Sequence, residues 1–236
     1  TRKDQRNNLD LLAKLNGKHF KARPAQGELD ARMSSYELAY RMQTDAREAF
    51  DIAGEKPETV AKYGANAQGR QMLIARRLLE RGVRFVQVRQ GGWDLHGGIA
   101  QRAANNARQL DPAIGAIMDD LKERGLFEDT LIYITSEFGR SPTEDGGGGR
   151  SHNARGLSTV LMGGGIKGGI AYGSTDEIGG AAVENKVHVK DIHATVMDLL
   201  GFDHEQLTYR TAGRDFRLTQ ATRSLPQGGM PVKGII

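Results

Sequence analysis

Apolar positions in the opening stretch recur at helical spacing, with Leu9, Leu12 and Leu15 on one stripe and Leu38, Met42 and Ala46 on another. Residues up to about Lys56 therefore read as charged helices lying over something else. KPETVAKYG is a turn segment, and QMLIARRLLERG gives an amphipathic helix capped at its C-terminus by Gly82. The β-branched and aromatic run VRFVQV then predicts a buried strand that breaks off at GGWDLHGG. Ala107, Leu110, Ile114, Ile117, Met118 and Leu121 mark a long helix, which Asp111-Pro112 restarts or kinks and Gly125 closes.

LIYITS predicts a second strand and LSTVLMGG a third, with GGGIKGGIAYG as a tight turn after it. DIHATVMDLLG is the last helix, with Asp191 as N-cap, Ile192, Val196 and Leu199 facing inward and Gly201 at its end. Beyond Thr219 the chain is polar and glycine-rich and reads as loosely attached. No internal repeat is present. Strand, helix and strand across residues 83–136 predict a βαβ unit with parallel pairing and a right-handed crossover. The fold expected is α/β, a mostly parallel central sheet flanked by helices. Its parts are a helical segment over 1–56 packing on the core, the α/β core over 57–219 and a loose tail over 220–236.

Composition narrows the function. A chain of 236 residues is long enough to bury a sizeable core, and no run approaches the roughly 18 apolar residues of a membrane span. The net charge of +4 is spread among interleaved acidic and basic residues, so nucleic acid is not the partner the sequence points to. Without cysteine there are no disulfides, thiolate metal sites or cysteine nucleophiles. The chain opens at Thr1 with no apolar leader segment, and reads as a fragment or a processed product.

The candidate chemistry lies where WDLHGG and SEFGR leave the two expected strands, since open α/β sheets bind ligands beyond the carboxyl ends of their strands. Asp94 and His96 stand two apart, a spacing that puts both side chains on one side of extended backbone. Together they suit Zn2+ or, with more oxygen ligands, Mn2+, Mg2+ or Ca2+. The alternative is that Asp94 caps a turn and His96 is an ordinary loop residue. Glu137 and Arg140 are expected at the same end, as a carboxylate and a guanidinium able to grip phosphate or sulfate, or simply as a salt bridge to one another. His152 follows the run Gly146 to Gly149, whose backbone freedom would let it approach as a third ligand; otherwise it is a solvated loop histidine.

Neither glycine cluster has the spacing of a nucleotide P-loop, and there is no G-x-S-x-G elbow. His188 and His193 read as helix-entry and packing residues, and His19 and His204 as surface positions.

Read in order, GGWDLHGG, SEFGRSP, GGGGRSHN, GGGIKGGIAYGSTDE, HVKDIHATVMDLLG and LTYRTAGRDFRLT resemble the sulfatase-like family called domain of unknown function 1501, from about Leu29 to Thr219. The resemblance implies the alkaline phosphatase and sulfatase superfamily: an alkaline-phosphatase-like layered fold with its N-terminal part missing, acting on phosphate or sulfate esters. It implies Asp94 and His96 at a first metal site, joined by His152, with a divalent metal, Zn2+ first and Ca2+, Mg2+ or Mn2+ after it. Where that superfamily shows an Asp-His pair for a second metal, this chain has Glu137 and Phe138, and the superfamily's nucleophile lies upstream of anything matched here. The partners implied are a small anionic ester or a sulfated or phosphorylated glycan or lipid, in a periplasmic or secreted protein. The competing expectation is a degraded binding or scaffold protein for anionic glycans or lipids. Oligomeric state is left open.

Overall fold

The computed structural model describes residues 2–22, 27–222 and 226–236. By contact density the chain divides into two units, residues 1–88 and 89–236.

The first unit is helical: α1 (Arg2–Ala22), α2 (Gly27–Phe50), α3 (Pro57–Tyr63) and α4 (Ala67–Leu79). Arg6 ties α1 to α2, with Nη1 donating to Glu37 Oε1 at 2.8 Å and the guanidinium lying 5.0 Å from the Tyr40 ring centre. Leu12, Leu15 and Leu38 are exposed, while the side chains of Met42 and Ala46 lie outside the described residues. Burial concentrates lower down, at Ala49, Tyr63 and Leu73. Asn66 caps α4 by accepting the Gly69 N–H at 2.9 Å. Position 69 must be glycine, because a Cβ there would lie 2.1 Å from the Gly64 carbonyl oxygen. Arg76 is buried with its charge matched by Glu55 and Glu80, each at 2.8 Å.

VRFVQV at the end of this unit forms no strand, and Phe85 is 81% exposed. β-propensity measures fit to a pleated surface and does not supply a partner edge.

The second unit begins with α5 (Ile99–Glu123), which passes Pro112 without a break. β1 (Leu131–Ile134), β2 (Gly139–Glu144), β3 (Arg150–Asn153) and β4 (Val160–Gly163) follow. β1 pairs with β4, and the β2/β3 hairpin is nested between them in sequence; both pairings are antiparallel. β5 (Ser174–Thr175) pairs with β6 (Ala182–Glu184), and, after α6 (Val189–Leu199), β7 (Tyr209–Thr211) pairs with β8 (Arg214–Phe216).

The expected α/β fold with a mostly parallel central sheet, and the alkaline-phosphatase-like layering with it, is therefore overturned. The described strands form four two-stranded antiparallel sheets. The physical reason is plain at β1: an apolar run of four residues fixes extended backbone but not direction, and LIYI takes the returning strand VLMG as its partner instead of a strand before α5.

Buried apolar residues of this unit come from α5 (Ala113, Ala116, Ile117, Leu121), from α6 (Ile192, Ala194, Met197) and from Leu95, Val232 and Ile235. The N-cap of α6 is His188 and not Asp191. His188 Nδ1 accepts the Lys190 N–H at 3.1 Å while Asp191, a turn inside, accepts the His188 N–H at 2.8 Å, a reciprocal capping box. The segment after Thr219, which composition reads as loose, is tied to this helix. Asp191 Oδ1 accepts the Met230 N–H at 2.9 Å, and the wholly buried Thr195 Oγ1 accepts the Val232 N–H at 2.8 Å. No described helix is long and apolar enough to cross a membrane.

Candidate metal centre

The centre is built where the segment before α5 lies against the glycine turn of the β2/β3 hairpin, bridged at Gly97 and Gly148. Gly146, Gly147 and Gly148 hold φ of 65°, 54° and 74°, the left-handed region that glycine enters without penalty. Arg150 N donates to Leu95 O at 3.0 Å, Gly98 N to Gly147 O at 2.9 Å and Ile99 N to Gly148 O at 3.0 Å. Gly149 has an ordinary φ but no room: a Cβ there would sit 2.1 Å from the His96 carbonyl carbon. This contact, together with Leu95 buried beneath the segment, brings the Asp94–His96 backbone onto the hairpin.

Two spacings then set the side chains. Asp94 and His96, two apart, turn to the same side. Arg140 and His152 face each other across the antiparallel pair, and so share a face of the hairpin. Asp94, His96 and His152 form the cluster of metal-ligating type found among the described residues. His96 Nε2 is 3.1 Å from His152 Nε2 and 3.1 Å from Asp94 Oδ1, and His152 Nε2 is 3.0 Å from Asp94 Oδ1. Arg140 Nη1 donates to the same Asp94 oxygen at 2.8 Å. Glu137 stands outside this cluster, its Oε1 3.9 Å from Arg140 Nη2.

Sequence reasoning missed Asp145, whose Oδ2 lies 2.9 Å from His96 Nδ1. It opens the glycine turn, a place where aspartate is commonplace, so nothing in the pattern marks it. Phe138 offers no ligand atom, but its ring packs on His152 with centroids 4.2 Å apart, and Arg140 lies 5.6 Å over the same ring.

The electrostatics favour anionic oxygen at the centre. The Arg140 guanidinium, then the His152 bond, hold the Asp94 carboxyl down to about 2 from its ordinary 3.8. Asp145 is likewise held below the carboxylate range by the bond to His96 and then by the Ser151 hydroxyl. Ring nitrogens 3.1 Å apart cannot both carry protons, so at least one Nε2 presents a lone pair at the centre.

A tetrahedral Zn2+ with ligand bonds of 2.0–2.1 Å has its ligand atoms about 3.3–3.4 Å apart. The three donor atoms here are separated by 3.0–3.1 Å, so the residues present fit such an ion with little movement. The side chains of Asp94, His96 and His152 are 65%, 47% and 48% exposed, and the centre opens to solvent.

Over residues 1–227 the chain matches the family described as protein of unknown function, DUF1501, and it belongs to that family. No curated protein and no solved structure matches it.

Proposed function

We propose that this member of the DUF1501 family holds one divalent metal ion through Asp94, His96 and His152 and acts as a hydrolase-type centre on phosphate or sulfate esters. The observation that carries the reading is the convergence of three donor atoms, brought together from segments 56 positions apart, to within 3.1 Å. Two imidazoles and a carboxylate suit Zn2+ ahead of Mn2+, Mg2+ or Ca2+, and leave a coordination position open for water or substrate.

A bound divalent ion supplies concentrated positive charge that polarises an ester oxygen. The remaining work falls to side chains. Asp94, with its carboxyl far below the usual range, is ready to ligate at neutral pH without losing a proton. Arg140 presents a planar fork of donors at the rim of the donor cluster and grips the non-bridging oxygens of the tetrahedral anion. Glu137, near the other nitrogen of that fork, is its counter-charge. The substrate class is a small anionic ester, or the sulfate or phosphate group of a glycan or lipid.

A second reading, anion binding without turnover, is favoured by Phe138. Its ring covers one side of His152 and offers no ligand atom for a second metal, so the two-metal clamp of many phosphoryl-transfer enzymes is missing at this position.

Metal content by plasma mass spectrometry, on the chain and on the Asp94→Ala, His96→Ala double variant, tests the centre. About one metal per chain, lost in the variant, is the expected result. Release of nitrophenol from p-nitrophenyl phosphate or sulfate, together with weaker phosphate binding in Arg140→Ala at unchanged metal content, supports the hydrolase. Phosphate binding without release moves the assignment to the anion binder. A metal-free chain that cannot be reloaded overturns the metal centre and the hydrolase with it, and leaves the anion binder.

A further inference from the structure

We infer that Asp145 is a positioning residue of this centre: its carboxylate holds the proton on His96 Nδ1 and thereby fixes the Nε2 lone pair on the point shared with Asp94 and His152. The inference rests on the metal-centre reading above and assigns a role to a residue outside the ligand set.

The argument starts from donor and acceptor chemistry. An ionised carboxylate only accepts hydrogen bonds, so Asp145 Oδ2 at 2.9 Å from Nδ1 requires a proton on that nitrogen. The opposite tautomer would set an imidazole lone pair against a carboxylate lone pair at that distance. With the proton on Nδ1, neutral His96 has its lone pair on Nε2, the atom 3.1 Å from both Asp94 Oδ1 and His152 Nε2. His152 Nε2–H then donates between His96 Nε2 at 3.1 Å and Asp94 Oδ1 at 3.0 Å, and the two acceptors left facing each other, His96 Nε2 and Asp94 Oδ1, are a pair that a cation would bridge.

Asp145 is not a fourth ligand. The two nitrogens of an imidazole point to opposite sides of the ring, so a carboxylate on Nδ1 cannot reach an ion on Nε2. A carboxylate behind a ligating histidine is instead a recurrent device for orienting the ring and raising its basicity.

The surrounding structure holds Asp145 in place. Its N–H donates to Gly149 O at 3.1 Å, closing the turn, and its carboxylate also takes the Ser151 hydroxyl bond. Ser151 precedes His152 on β3, so one hairpin carries a ligand on one residue and the support for the other ligand's orienter on the next. Removing the Asp145 side chain leaves its backbone bond to Gly149 untouched.

The experiment uses the full chain, isotope-labelled and stripped of metal, at about pH 8, where imidazole is ordinarily neutral. Long-range nitrogen–proton spectra read the His96 tautomer, and competition with a chromophoric chelator reads Zn2+ affinity. His96 is expected as the Nδ1–H form, and Asp145→Ala is expected to lose that preference and weaken Zn2+ binding about 10–100-fold. Asp145→Asn keeps an acceptor oxygen, so it should retain the tautomer and weaken binding by less than the alanine variant. If Asp145→Ala does not fold, as judged by circular dichroism, the wild-type tautomer and the asparagine variant decide the matter.

An Nε2–H form in the wild type, or Zn2+ affinity within twofold in Asp145→Ala, overturns the inference. A wild-type chain that takes no Zn2+ sinks the metal reading instead, and the tautomer of the stripped chain still reports separately on the Asp145–His96 bond.

Discussion

Gly149→Ala and Gly146→Ala, two substitutions in one turn, separate close approach from backbone strain. At position 149 φ is ordinary, but an added Cβ would lie 2.1 Å from His96 C and 2.2 Å from His96 O. Restoring contact at about 3.4 Å moves the His96 backbone by roughly 1.3 Å, beyond the 0.2 Å tolerance of a metal–ligand distance. The three backbone bonds from Arg150 to Leu95, Gly98 to Gly147 and Ile99 to Gly148 go with it. At about 1 kcal/mol each, they amount to about 3 kcal/mol. At position 146 φ is +65° but the space is open, so alanine costs only the left-handed backbone, about 1–2 kcal/mol, and leaves His96 where it is.

Urea unfolding followed by the fluorescence of the single tryptophan, Trp93, next to Asp94, measures both. The expected order is a large loss of stability with Zn2+ affinity down at least about 100-fold for Gly149→Ala, and a modest loss with affinity within about threefold for Gly146→Ala. A Gly149→Ala chain that keeps its metal affinity, or a Gly146→Ala chain that loses more, would refute the account of how the turn holds His96.

Other perturbations test the scaffold. Thr195→Val removes the buried hydroxyl that accepts the Val232 N–H and strands that donor; a loss of about 1–3 kcal/mol in thermal or urea unfolding is expected, and an unchanged midpoint would show that the tail is not held this way. Burial raises the Glu55 carboxyl, but bonds from Arg77 and Arg76 outweigh it and bring it below its ordinary 4.5. A depressed carboxylate contributes stability that is complete above its unfolded value and disappears as pH falls through the folded one. Glu55→Gln should therefore melt lower than wild type at pH 7, with the difference shrinking below about pH 4.5; a gap independent of pH would assign the effect to shape instead of charge.

The clustering of Asp94, His96 and His152 was legible because a two-residue spacing and a glycine run are local signals. Asp94 and His96 do share a side, as the two-residue spacing led one to expect, and His152 needed a turn that reverses the chain toward them. Arg140 was placed beside them through an assumed shared sheet end. It arrives there by a different route, directly across the β2/β3 ladder from His152, a register that two residues separated by an acidic-glycine turn do encode. The glycines were read as freedom in general, whereas the structure divides them into three that supply positive φ and one that supplies absence of a side chain. His188 displaced Asp191 as the cap of α6 because an aspartate three residues inside a helix start bonds backwards, and a sequence shows the aspartate without its direction.

What was not legible is pairing. VRFVQV, LIYI and VLMG all carry strand composition, and composition is blind to which edge meets which and in which sense. The centre escapes that error because it does not depend on a sheet end. Its geometry is set by three backbone hydrogen bonds between a turn and the segment before α5, by one glycine contact, and by one antiparallel register. The overturned topology thus still pointed to residues that meet in space: Asp94 and His96 lie two apart in one segment, and Arg140 and His152 are joined by cross-strand pairing. Only the meeting of those two pairs is tertiary, and it depends on Gly149.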